Sequence, residues 1–124
     1  QALAEVRAGD KRSHWMWFVF PQLAGLGRSP TAQFYGIAGR GEAEAYLAHP
    51  LLGPRLGEIT AAMLAWAGRR NATAILGSVD ALKFRSSMTL FEAIAEDPAL
   101  FTQALDTFCA GERDPLTLRL LAGA

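Results

Sequence analysis

Between Lys11 and Gln22 the chain reads KRSHWMWFVFPQ, with two of its three tryptophans, two phenylalanines, a histidine, a methionine and a valine in twelve positions. No other window is as apolar or as aromatic. Rings of this size are stabilised by removal from water, so the other elements must supply walls around the segment. The 124 residues amount to one ordinary domain, which can bury roughly two thirds of its unfolded surface without disulfide or metal.

The walls are expected to be helices. Ser29-Pro30, Asp97-Pro98 and Asp114-Pro115 each put a capping side chain before a proline, the order that suits a first helical turn. Gly9, Gly77, Gly111 and Gly123 stand where helices should stop. Between these marks the pattern predicts helices over 1–8, 30–38, 42–48, 54–67, 72–76, 79–95, 98–108 and 115–121. In 54–67, Leu56, Ile59, Met63 and Trp66 make one apolar stripe. Periodicity does not separate strand from buried helix for the aromatic run. We read 14–20 as helix, capped by Ser13 and ended by Pro21, because no second strand exists to pair with it. The expected fold is all-α: a compact bundle of about six to eight short helices forming a single domain over 1–124. The opening Gln1-Ala2-Leu3-Ala4-Glu5 reads as mid-helix without a cap, so a native N-terminal segment is expected to precede it.

Lys and Arg number 12, as do Asp and Glu. A zero formal charge disfavours nucleic acid or an anionic membrane as partner, since both reward a basic excess. A nucleic-acid surface would need Arg28, Arg40, Arg69, Arg70 and Arg85 on one face. The longest apolar run, Trp15–Phe20, is far shorter than the roughly 20 residues of a spanning helix. Cys109 is the only cysteine, so no intrachain disulfide can form and a reducing, cytoplasmic setting is expected.

Three places could carry chemistry. Lys83, Ser86 and Ser87 are spaced to share a helix face, where an ammonium beside two hydroxyls suits an anion or phosphate. Serines are poor mid-helix residues, and the competing reading is small residues that let a neighbour approach. His14 would share a face with Lys11, Trp17 and Phe18, as an acid/base group, as support for a stacked ring, or as a core-edge histidine. Gln22 and Tyr35 could add polar groups there. Gly25-Leu26-Gly27-Arg28-Ser29 leads into a helix start, yet without a third glycine or a preceding strand it reads as a capped turn. His14 and His49 are 35 positions apart, so no metal-ligand spacing and no cofactor motif is visible.

These words also occur together elsewhere. His14-Trp15-Met16-Trp17-Phe18 with Phe20-Pro21-Gln22, Gly25-Leu26-Gly27 with Ser29, Tyr35 to Ile37, Ala45-Tyr46-Leu47 with His49-Pro50, Leu52-Gly53 with Arg55-Leu56, and Lys83 with Ser86-Ser87-Met88-Thr89-Leu90-Phe91 stand in that order. In them the chain resembles the bacterial family DUF 1810, over nearly its whole length. The resemblance implies a small helical fold, usually with one more helical stretch before Gln1, and no established activity. Family members sometimes carry the label calpastatin. A disordered polar inhibitor of that kind does not match a chain that is 51% hydrophobic.

The expected function is a cytoplasmic helical domain with a pocket for a small ligand, a nucleotide or another phosphorylated ring compound. The ligand-binding set is His14, Trp17, Gln22, Tyr35, Arg55, Lys83, Ser86 and Ser87. The alternative is a protein-interaction or structural module without catalysis. A remoter one is an N-glycosidase acting on ADP-ribose-type substrates, for which no acid/base pair stands out. Whether the chain is an enzyme, and its oligomeric state, are left open by the sequence.

Overall fold

A computed structural model describes residues 1–123. It contains α1 (Ala2–Arg7), α2 (Met16–Val19), a 3-10 turn (Ala24–Leu26), α3 (Pro30–Tyr35), α4 (Arg40–Ala48), α5 (Leu52–Leu64), α6 (Ala72–Leu76), α7 (Ser78–Ile94), α8 (Ala99–Phe108) and α9 (Pro115–Ala122). The fold is all-α. Among the described residues, the extended pairing is one parallel bridge between Leu23 and Ile37. Among the described residues there are nine α-helices, five of them of seven residues or more, and the short α3 and α6 each hold a capped first turn. Ser29 Oγ accepts the Ala32 N–H at 3.1 Å, and Asn71 Oδ1 accepts the Ala74 N–H at 2.8 Å. Among the described residues no helix is long and apolar enough to cross a membrane.

The centre of the molecule is α7. Its residues from Ser86 to Phe91 are buried without a break, as in a helix covered on every side. The covering elements are α2, α4, α6, α8 and α9, while α5 packs on α4, α8 and α1. Two fully buried threonines return their hydroxyls to the previous turn: Thr89 to the Arg85 carbonyl at 2.8 Å and Thr60 to that of Leu56 at 2.7 Å. Phe84 is fully buried, with Phe20 and Phe108 edge-on at 5.0 and 6.0 Å. The aromatic stretch therefore joins the same core as α7 and α8.

The N-terminal helix is closed onto α5 through Gly9. Its φ of 73° is open to glycine, and an added Cβ would stand 2.8 Å from Cζ2 of Trp66. The Trp66 indole packs against Gly9 and donates to the Val6 carbonyl at 2.8 Å.

Candidate functional site

Glu5 on α1 determines how the aromatic stretch enters the fold. Its carboxylate accepts the Ser13 hydroxyl, the N–H groups of Arg12 and Ser13 at 2.7 and 3.0 Å, and the Trp15 indole N–H at 2.8 Å. These bonds, the Ser13 hydroxyl foremost, hold the Glu5 carboxyl far below its usual range although it lies near the surface. Ser13 was expected to cap a helix from His14. Its hydroxyl is taken by Glu5 instead, and α2 begins only at Met16.

The short helix then distributes its side chains. Met16 enters the core, Trp17 turns to α7, and Phe18 stays exposed beside α3. The Lys83 ammonium sits 4.1 Å from the Trp17 ring centroid and 3.3 Å from Asp80 Oδ1. Asp80 Oδ2 takes the Lys11 ammonium at 2.8 Å, and Lys11 lies 5.3 Å from the Trp15 ring. Two cations thus share one carboxylate between two indole faces, a partly buried clamp that ties the loop to α7. His14 is exposed and makes no hydrogen bond among the described residues.

The two serines face other partners. Ser86 donates to Asp114 Oδ2 at 2.9 Å, with the Leu82 carbonyl farther off at 3.3 Å. Asp114 also accepts from Thr117, and its N–H donates to Thr89 Oγ1 at 2.9 Å. Ser86 thus belongs to the seam between α7 and α9. Ser87 is fully buried and its hydroxyl has no partner among the described residues. An unmet buried hydroxyl costs about 1–3 kcal/mol. Ser87→Ala is therefore expected to raise the unfolding free energy by about 1 kcal/mol, read from urea denaturation; a loss of stability would show that the hydroxyl has an acceptor. Gln22 is buried, and its carbonyl accepts the Ile37 N–H at 2.8 Å.

Arg55 stands apart from these, in a groove of about 330 Å³ between α1, α2, α4 and α5. Leu3, Val19 and Leu52 give it an apolar floor, with Phe18, Tyr46 and Arg55 around it. Gly53 makes the arrangement possible: an added Cβ there would collide with the Leu47 carbonyl oxygen, so only glycine lets α5 start this close to the end of α4. His49 Nδ1 accepts the N–H groups of Leu51 and Leu52 at 3.1 and 3.2 Å and so caps the first turn of α5. Tyr46 packs on Phe91 with centroids 5.5 Å apart. Burial pushes its phenol up, the Arg55 charge opposing, so it remains a neutral donor. Among the described residues Arg55 has no carboxylate partner. Glu58, on the same groove, lies 3.9 Å from Arg7. Outside the groove, Phe18 continues into Tyr35 at 5.5 Å and Phe34 at 4.9 Å beyond it, three rings exposed by 53%, 43% and 79%.

The eight predicted residues therefore divide. Trp17 and Lys83 meet directly; Tyr35 and Arg55 lie on either side of Phe18; Ser86, Ser87, Gln22 and His14 join neither group. Sequence reasoning passed over Asp80 and Tyr46. Asp80 had a signal, standing three residues before Lys83 on the same helix. Tyr46 had none, since its place is set by Phe91 on a distant element. Among the described residues no three His, Cys, Asp or Glu side chains gather as a metal site would need.

The sequence pattern of DUF1810, described as a protein of unknown function, matches residues 1–121. The fold is similar to the crystal structure of a conserved hypothetical protein from Mycobacterium tuberculosis, with 49% identity and a TM-score of 0.93 over 98% of this chain and 86% of that one. No curated protein matches significantly.

Proposed function

The chain belongs to the DUF1810 family, and from its groove geometry we propose that it binds a small anionic ligand with a ring-bearing body, of the nucleotide or phosphorylated-ring class. The reading is carried by Arg55. It is a guanidinium without a carboxylate partner among the described residues, beside the Tyr46 phenol, on a groove of about 330 Å³ walled by Phe18. An apolar lining with a few convergent polar groups is the ordinary make-up of a ligand site. A guanidinium matches a phosphate or carboxylate in a bidentate manner, and an exposed ring offers a face for stacking. Cys109, the only cysteine, supports a cytoplasmic setting.

The test is titration calorimetry with adenosine monophosphate, ADP-ribose and unphosphorylated adenosine. Arg55→Gln is expected to weaken binding of the phosphorylated compounds about tenfold or more, the scale of one charge-assisted hydrogen bond, and to leave adenosine unaffected. Equal affinity in the variant, or no heat with any phosphorylated compound, overturns the reading. The exposed trio Phe18, Tyr35 and Phe34 supports a second reading, a protein-interaction module. That reading gains if the phosphorylated compounds give no heat while the wild-type chain sediments as an assembly that Phe34→Ser breaks.

A further inference from the structure

The helices α6, α7 and α8 border two cavities of about 290 and 520 Å³ that share Asn71 and Phe108 in their walls. Arg69 and Arg70 line the first, and Arg85 lines the second. No aspartate or glutamate lines either one among the described residues, although the chain as a whole balances its charges.

Two of the three guanidinium groups are anchored by carbonyls without a carboxylate partner among the described residues, and the third is paired only at long range. Arg70 donates from Nε to the Gly9 carbonyl at 3.0 Å and from Nη2 to the Ala74 carbonyl at 2.9 Å. Arg69 donates to the Ala65 carbonyl at 3.0 Å and lies over the Trp66 ring at 4.6 Å. Neither has a carboxylate partner among the described residues. Arg85 has two, but at a distance: Glu112 at 3.7 Å and Asp114 at 4.0 Å, beyond hydrogen-bonding range. Its Nε is buried with no partner at all. Carbonyl anchors fix an arginine's direction and leave its charge, so such groups are pre-organised for an anion from outside. With Arg85 beside them, and with no acid in either lining among the described residues, Arg69 and Arg70 also concentrate anions locally despite the zero total.

The spacing limits the ligand further. Positive charge stands at both ends, Arg69 and Arg70 at one and Arg85 at the other, with the Phe108 ring at the junction. We infer that these joined cavities form a second binding site, for a small molecule carrying two phosphoryl groups on either side of a ring, of the nucleoside bisphosphate class. This site is separate from the Arg55 groove and does not depend on it.

Titration calorimetry of the whole chain with adenosine 3′,5′-bisphosphate tests the inference, with inorganic phosphate and a short oligothymidylate as competing probes. The bisphosphate is expected still to bind Arg55→Gln protein, in which the first groove is disabled, and to bind it about tenfold or more weakly once Arg69→Gln or Arg85→Lys is added. Arg69 is exposed and anchored by a single carbonyl, so Arg69→Gln keeps the test valid should an Arg85 variant unfold; circular dichroism melting checks both. Absence of bisphosphate binding overturns the inference, as does affinity unchanged in Arg69→Gln. Inorganic phosphate binding as tightly as the bisphosphate removes the two-ended recognition. Tighter binding of the oligothymidylate makes the surface a nucleic-acid site instead.

Discussion

Phe84→Ala is expected to lower the unfolding free energy by about 3–5 kcal/mol, the usual cost of deleting a fully buried phenylalanine. A domain of this size holds only about 5–15 kcal/mol in all, so the variant should stand close to unfolding at physiological temperature. Phe84 is the ring through which the aromatic stretch reaches the rest of the core, edge-on to Phe20 on one side and to Phe108 on the other. Its removal leaves both neighbours facing a void that surrounding helices cannot fill, because α7 is held from every side at this level. Chemical denaturation monitored by tryptophan fluorescence gives the value directly. A loss under about 1 kcal/mol would mean that the core collapses around the gap, and the picture of α7 as a fixed axis would fail.

Glu92→Ala should cost about 2 kcal/mol, within the range for hydrogen bonds to charged groups. Glu92 lies on α7 and accepts the Thr102 hydroxyl of α8 at 2.6 Å and two guanidinium N–H groups of Arg113, one of them at 2.9 Å. It thus ties α8 and the segment before α9 to the central helix. The Arg113 bonds, aided by Thr102 and opposed by burial, hold the Glu92 carboxyl below its ordinary 4.5. At Asp114 burial pushes upward, but the Thr117 and Ser86 hydroxyls outweigh it, and the net shift is below the ordinary 3.8. Glu5 is also lowered. A carboxylate depressed in the folded state binds protons more readily once unfolded. The stability it contributes is complete above its unfolded value and is lost as the pH falls towards the folded one. The urea midpoint should therefore be level down to about pH 5 and fall below it, with Glu92→Gln giving a shallower acid limb. An acid limb as steep in Glu92→Gln as in wild type would remove Glu92 from the account.

The candidate site was legible only in part. Lys83 and Trp17 were both singled out from the sequence, and they meet at 4.1 Å. Lys83, Ser86 and Ser87 do share one helical wheel face, but a wheel does not say what covers it. Here α9 takes Ser86 through Asp114, while Ser87 is sealed off entirely. Arg55 was named, yet the groove beside it also needs Tyr46 from α4 and Phe18 from α2, and no local pattern links three elements. Arg69, Arg70 and Arg85 were likewise named, with Arg28 and Arg40, but only the tertiary structure shows which of the five line neighbouring cavities.

By itself the sequence determined the helical class and most helix boundaries. Capping side chains, proline starts and left-handed glycines act within one or two turns, so Ser29, Asn71, Gly9 and Gly77 need no distant partner to take effect. It also determined that the ring-rich segment would pack inward, and Trp15, Met16 and Phe20 do so. Tertiary structure alone decided that Phe18 would remain outside, that two lysines would share Asp80, and that Arg55 would lie beside Tyr46. Those outcomes depend on which helix faces come into contact across the fold, and that is settled by the packing of many side chains at once rather than by any stretch of chain read alone.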